Sequence, residues 1–210
     1  CSSDLICEST YGNRAHEDIH TARSRLRDII VATAKRGGKV IIPAFSLERT
    51  QEIVYDLHIL WHQKEIPAIP IIIDSPLSNK VTGIFGKYTE LFDDEMHSTF
   101  IQKSHDPFHF SLVNYTKTLD ESKALNGRPG PFILMASSGM CEAGRIRHHL
   151  KNELADHRNT IVAVGFMAEN TLGRKLIDPL TTEVSIFGEK IQKKAEVVYI
   201  NAYSGHADMH

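Results

Sequence analysis

The chain has 210 residues, 41% of them hydrophobic, with 24 Lys and Arg against 26 Asp and Glu for a net charge of −2. That supplies one sizeable domain with a core, and it excludes a uniformly basic nucleic-acid binder, because neutralising phosphates takes clustered Lys and Arg. No apolar run approaches a membrane span, and Cys1-Ser2-Ser3-Asp4 lacks the basic and apolar regions of a signal peptide, so no membrane partner and a cytoplasmic location are expected.

Asp4-Leu5-Ile6-Cys7-Glu8 reads as a first strand ending on a carboxylate, followed by the turn-like Ser9-Thr10-Tyr11-Gly12. Ile19, Ala22, Leu26, Ile29 and Ile30 recur at helical spacing, and Gly37-Gly38 supplies the stop. Lys39-Val40-Ile41-Ile42 predicts a short strand closed by Pro43, and Arg49 to Leu57 resumes the helical period. Ile69 to Ile73, with Pro70 near its start, predicts a second buried strand, after which Asp74-Ser75-Pro76-Leu77 opens a helix through about Tyr88. From Leu91 to Tyr115 there is no clean period, which predicts short helices and loops.

Thr118-Leu119-Asp120-Glu121 is a capping box for a short helix ending near Asn126-Gly127. Phe132 to Ala136 predicts another buried strand, then Ser137-Ser138-Gly139-Met140 and a helix from about Glu142 to Leu154. Thr160 to Gly165 is the next strand and Thr171 to Ile177 the next short helix. Glu183 to Phe187 and Lys190 to Ile200 flank Gly188-Glu189, which reads as a two-residue hairpin turn with glycine first. Apolar strands each followed by a helix describe an α/β fold: a mostly parallel sheet with helices on both faces, plus a late antiparallel hairpin. In such sheets the carboxyl ends of the strands form the binding crevice, so the turns after Ile42, Ile73, Ala136 and Val164 are expected along one edge.

The chemistry concentrates at strand ends. Ile200 to Asp208 is an apolar run stopping at small residues that present His206 beside a carboxylate. If the two ends of the chain meet, Glu8 can face His206. A carboxylate bonded to one imidazole nitrogen fixes the tautomer and favours the protonated ring, leaving the other nitrogen to donate a proton to a leaving group. Ser137 and Ser138 offer hydroxyls and backbone N–H groups to an anion at a positive helix end, or a plain N-cap. Thr171-Leu172-Gly173-Arg174 offers the same choice, with Arg174 a phosphate donor or a surface charge. Arg145, Arg147, His148, His149 and Lys151 form a local basic cluster, as do Arg174 and Lys175.

His206, Asp208 and His210 tempt a zinc reading, but alternate residues of an extended strand fan out too far to close a shell unaided. His16 with His20, and His105 with His109, have one-face helical spacing and no third ligand nearby. Cys1, Cys7 and Cys141 have no paired spacing, which fits buried or free thiols in a reducing compartment. A chain that begins at Cys1 and stops two residues after Asp208 is expected to be an excised piece of a longer protein.

Taken in order, Glu8-Ser9-Thr10-Tyr11-Gly12-Asn13-Arg14, Ile42-Pro43-Ala44-Phe45-Ser46, Asp74-Ser75-Pro76-Leu77, Ala136-Ser137-Ser138-Gly139-Met140-Cys141, Thr171-Leu172-Gly173-Arg174 and Ser204-Gly205-His206-Ala207-Asp208 resemble the β-CASP branch of the metallo-β-lactamase-fold nucleases. The resemblance runs the whole length and is greatest to the group of the mRNA 3′-end cleavage endonuclease and its bacterial and archaeal relatives. It implies that residues 1–12 belong to a strand of the hydrolase half, 13–199 to the β-CASP cap and 200–210 to the return strand and motif into the hydrolase half.

Glu8 then matches the family's acidic motif and His206 its acid histidine, while Ser137, Ser138, Gly139, Thr171 and Arg174 face the cleft through which single-stranded RNA passes. Asn170 stands where relatives commonly carry glycine. The resemblance further implies two zinc ions in the full-length parent, held by ligands before residue 1 and after residue 210, so none is expected tightly bound to this piece and the piece alone is expected to be inactive. The missing hydrolase half and a second copy are the remaining partners expected. The alternatives are a catalytically silent paralogue serving as a scaffold in RNA processing, and a nucleotide or other small-molecule binder on a doubly wound sheet.

Overall fold

The structure is a computed structural model that describes residues 4, 6–100 and 106–209. Helix α1 (Ile19–Lys35) starts where the Asp18 carboxylate accepts from Thr21 N at 2.9 Å, and it buries Ala22, Leu26 and Ile30 along one stripe. Strand β1 (Lys39–Pro43) is buried throughout and leads into α2 (Arg49–His62). Strand β2 (Ile71–Ile73) leads into α3 (Pro76–Phe85), which Ser75 caps and in whose first turn Pro76 lies, where a missing N–H costs nothing. Helix α4 (Asp94–Thr99) and strand β3 (Val113–Tyr115) follow.

Helix α5 (Leu119–Ala124) is capped by Thr118, and the Glu121 carboxylate reaches back to Lys117 N at 2.6 Å. Strand β4 (Phe132–Ala136), α6 (Ile146–Glu153), β5 (Thr160–Val164) and α7 (Leu172–Ile177) come next, then the hairpin β6 (Glu183–Ile186) and β7 (Glu189–Gln192), and last β8 (Glu196–Ile200).

Among the described residues six strands form one parallel sheet in the order β3-β2-β4-β1-β5-β8, and β6 and β7 pair antiparallel beside it. Alternation along the strands divides the core in two. Val40, Ile42, Ile133, Met135 and Val162 pack under α1 and α2. Ile41, Leu134 and Ile161 pack under α6 and α7 with Val184 and Ile186 of the hairpin. Burial on both faces is why these strands are continuous apolar runs. No described helix is long and apolar enough to cross a membrane.

Several expectations need correction. The described residues between 4 and 9 form no strand, and Ile6 is 95% exposed; the 203–208 stretch forms none either. Neither segment has a neighbouring strand among the described residues to supply ladder partners. Val113–Tyr115 is an edge strand where only loops and short helices were expected. The hairpin turn is Phe187-Gly188, one residue earlier than predicted, because both residues take positive φ (53° and 79°) and Ile186 faces Glu189. The run from Lys190 to Ile200 is two strands. Lys193 N bonds Thr182 O at 2.8 Å and Ala195 N bonds Leu154 O at 2.9 Å, carrying the chain off the hairpin to the sheet edge, where β8 joins β5 in parallel. Helix α6 begins at Ile146, several residues after the expected start.

Candidate active site

Adjacent strands β1 and β4 send their connections to opposite faces, since α2 packs in one half of the core and α6 in the other. A crevice opens where such connections part. Its floor is a triangle of hydroxyls, with Ser46 Oγ 2.7 Å from Ser137 Oγ and 3.1 Å from Ser75 Oγ, and Ser75 Oγ 3.0 Å from Ser137 Oγ. The triangle ties together the carboxyl ends of β1, β2 and β4.

Below it lies Asp74, fully buried. Its Oδ1 accepts from Thr116 Oγ1 and Arg145 Nη1, each at 2.5 Å, and its Oδ2 accepts from Ser122 Oγ and lies 2.6 Å from His149 Nε2. Burial opposes ionisation of this carboxyl, but the bonds from His149, Ser122, Thr116 and Arg145 outweigh it and hold Asp74 well below the usual carboxylate range. The role of Asp74 is not legible from the sequence alone. An acidic residue closing an apolar strand was the signal available.

The serine turn does not open a helix as expected. Ser138 N donates to Ala143 O at 3.0 Å, and the first residue of α6, Ile146, donates its N–H to Ser137 O at 3.1 Å. The serine backbone is therefore engaged within its own turn, and no helix end is aimed through it. Gly139 lies against Phe45, where a Cβ would come within 2.8 Å of the ring. The second turn docks on the first: Gly173 N donates to Met140 O at 2.9 Å, and Leu172 N donates to the Glu142 carboxylate. Thr171 caps α7, and Arg174 is exposed on its first turn. Asn170 takes φ 66°, the left-handed conformation that glycine adopts freely and asparagine tolerates better than most residues.

The two ends of the described chain come together at the crevice mouth. Glu8 Oε2 lies 3.1 Å from His206 Nδ1, while Glu8 Oε1 accepts from Ala207 N at 2.5 Å and Oε2 from Thr10 N at 3.2 Å. The Thr10 hydrogen bond, with those from Ala207 and His206, lowers the Glu8 carboxyl below its ordinary value. Asp208 serves another purpose, accepting from His16 N at 2.9 Å, and Glu17 N donates to Asn201 Oδ1 at 3.1 Å.

Beneath the turn, Tyr203 is fully buried and donates to Asp56 Oδ2 at 2.6 Å, and Arg23 clamps the other Asp56 oxygen at 2.7 Å. Arg49 pairs with Glu48 at 3.0 Å and with Glu52, whose carboxyl burial pushes up to about 7 against the pull of Arg49. Helix α2 thus anchors the turn that carries His206, a role absent from the sequence reading.

Two grooves follow the strand ends. One, of about 360 Å³, runs past Phe166, Tyr203 and His206, and the other, of about 630 Å³, past Ser75, Leu77, Ser137 and Arg145. Phe45 and Leu47 line both. Of the predicted residues, Ser137, Ser138 and Gly139 lie together, Glu8 and His206 lie together, and Thr171 and Arg174 reach the serine turn through Gly173. His109 Nδ1 sits 2.9 Å from Asp106, and His105 and His210 lie outside the described residues. Among the described residues no group of three or more His, Cys, Asp or Glu is placed to hold a metal ion.

The sequence matches the Beta-Casp domain family over residues 50–176. It is 37% identical over 203 residues to ribonuclease TTHA0252 of Thermus thermophilus, covering 97% of this chain and 46% of that protein. It is 31% identical over 205 residues to endoribonuclease ysh1 of Schizosaccharomyces pombe, covering 97% of this chain and 26% of that protein. It is also 28% identical over 211 residues to transcription termination factor FttA of Methanosarcina mazei, covering 97% of this chain and 33% of that protein. The chain thus spans less than half the length of these relatives. The family match takes in β2 to β5 and most of α7, with the serine and Thr-Leu-Gly-Arg turns between them, and on that ground the chain belongs to the Beta-Casp family.

Proposed function

We propose that this chain is the β-CASP domain of a metal-dependent ribonuclease that hydrolyses RNA phosphodiester bonds, and that it supplies the cleft wall and the Glu8–His206 acid pair. The observation that carries the reading is the 3.1 Å contact between Glu8 Oε2 and His206 Nδ1 at the mouth of the strand-end cleft. With Nδ1 held by a carboxylate, Nε2 is the proton donor to the oxygen leaving phosphorus as water adds and the P–O bond breaks. Glu8 stays ionised as it does so, because its hydrogen bonds lower its pKa. Arg174 and Thr171 meet the RNA backbone on the cleft wall. The names of two relatives, a ribonuclease and an endoribonuclease, support RNA as the substrate.

Zinc would supply Lewis-acid stabilisation of the phosphoryl oxygens in the whole enzyme. Among the described residues no group makes a metal shell; on this reading a hydrolase half that partners this domain carries the ligands.

The test is His206→Ala in the full-length protein. Single-turnover cleavage of RNA should fall by about a hundredfold or more, with RNA affinity nearly unchanged, because a general acid acts only in the transition state. A variant that cuts at the wild-type rate, or one that fails only in binding, removes His206 from this role.

A further inference from the structure

Phe45 stands on the divide between the two grooves and is 42% exposed. Its backbone is nevertheless fixed. The Phe45 carbonyl accepts from Thr50 N at 3.3 Å and Thr50 Oγ1 at 2.8 Å, the Ser46 carbonyl from Gln51 Nε2 at 3.2 Å, and the Leu47 carbonyl from Arg49 N at 2.8 Å. The Ser46 hydroxyl is held by Ser75 and Ser137. One side of the ring, Cδ2 and Cε2, rests on Gly139. Leu47 and Leu77, 62% and 59% exposed, continue the apolar surface. A ring presented this way is already in place before anything binds, so little ordering entropy opposes contact with it.

The charges around it indicate what it meets. Arg145 is committed to Asp74 and Thr116, and Arg49 to Glu48 and Glu52, so the arginines of both grooves are neutralised where they stand. The three floor serines hydrogen-bond one another. Such a surface suits a planar, uncharged group better than a phosphate. Because Phe45 and Leu47 also border the groove that ends on His206, a chain lying along the strand ends toward that histidine crosses this ring.

We propose that Phe45 is a positioning residue that stacks one unpaired nucleobase of single-stranded RNA on the divide, and so sets the register in which a phosphodiester reaches His206. The inference rests on the ribonuclease reading and gives that site its substrate contact: bases face the cleft, and the backbone faces Arg174. Base–aromatic stacking is tolerant of sequence, because every base has a π-face.

The test uses the full-length protein and an RNA oligonucleotide in which each nucleotide in turn is made abasic, cut under single-turnover conditions by wild type, Phe45→Ala and Phe45→Trp. In wild type, one abasic position beside the cut should raise the half-saturating concentration about tenfold, the size that stacking on one ring reaches, with the maximal rate nearly unchanged. Phe45→Ala should show that loss on intact RNA and no further loss at the abasic position, and Phe45→Trp should restore both the affinity and the sensitivity. An alanine variant equally weakened at every position and not rescued by tryptophan overturns the proposal, because Phe45 is then only structural. Unchanged handling of RNA by Phe45→Ala overturns it too, and leaves the divide to a segment of a partner protein. If wild type does not cleave RNA, the ribonuclease reading fails by itself and the same series is read as equilibrium binding: base-dependent binding lost in Phe45→Ala supports stacking, and its absence overturns it.

Discussion

Removing the Asp74 carboxylate should destabilise the domain more than removing any surface charge, and its size can be worked from its partners. Asp74→Ala leaves two charged or chargeable donors without their acceptor, Arg145 Nη1 and His149 Nε2, together with the hydroxyls of Thr116 and Ser122. Breaking a buried pair from one side costs about 3–5 kcal/mol. Because the Arg145 side chain keeps 19% exposure and can regain water, the lower half of that range, about 3–4 kcal/mol, is expected. Asp74→Asn keeps the shape. Its amide can donate to His149 Nε2 once the ring carries its proton on Nδ1, 3.2 Å from Asn126 Oδ1, so the cost falls to about 1–2 kcal/mol, the difference between a charge-assisted and a neutral bond.

The gap between wild type and either substitution also depends on pH. The folded carboxyl of Asp74 lies below its unfolded value near 3.9, so its contribution is complete above that pH and is lost as pH falls toward the depressed folded value. Wild type and Asp74→Asn should therefore converge in stability below about pH 4. Urea unfolding of the isolated chain, followed by circular dichroism from pH 7 down to pH 3, measures this. A cost under about 1 kcal/mol for Asp74→Ala at pH 7, or wild-type and Asn curves that run parallel to pH 3, would refute the reasoning.

Other outcomes follow from the same geometry. Glu8→Gln should slow RNA cleavage by the full-length protein in the same direction as His206→Ala, leave the melting temperature unchanged because the pair is half exposed, and combine with it less than additively in a double-mutant cycle. Arg174→Ala should weaken RNA binding irrespective of sequence and reduce the slope of log affinity against log salt by about 0.7, the value for one phosphate contact on a single strand; an unaltered slope would make Arg174 a surface charge. The isolated chain, titrated calorimetrically with zinc and assayed on labelled RNA, should show neither stoichiometric tight binding nor cleavage. Tight binding with metal-dependent cutting would relocate the metal site to this chain.

The main strands were legible because a parallel strand buried on both faces is a short unbroken apolar run, as in Val40-Ile41-Ile42 and Phe132 to Ala136. Val113–Tyr115 escaped because an edge strand of three half-exposed residues has too little pattern to read. The hairpin turn was displaced by one residue because Phe187, a bulky side chain, takes the left-handed conformation that reasoning reserves for glycine. At the site, Glu8 and His206 could be singled out by residue type at apparent strand ends, although the described residues of neither segment form a strand. The Asp74 cluster could not, because its partners lie 42 to 75 residues away in the chain and only folding brings them to one point. The role proposed for Phe45 was hidden for a similar reason, since an aromatic after a strand usually belongs to the core, and only its exposure in the folded chain separates the two cases.

The position of β1 has a consequence for synthesis. It is the central strand by pairing, bonded to β4 on one side and β5 on the other, yet roughly 90 residues of chain separate its end at Pro43 from the first residue of β4 at Phe132. At a translation rate of 5–20 residues per second a nascent chain holds Val40-Ile41-Ile42 without either lateral neighbour for about 5–18 s. During that interval both edges of a fully apolar strand are open to any other extended segment, a ribosome-bound neighbour included. Helices α1 and α2 can shield one face meanwhile, but the edges stay bare until Phe132 to Ala136 emerges, so the yield of folded protein should depend on chaperone occupancy while the segment between Pro43 and Phe132 is being made more than after it.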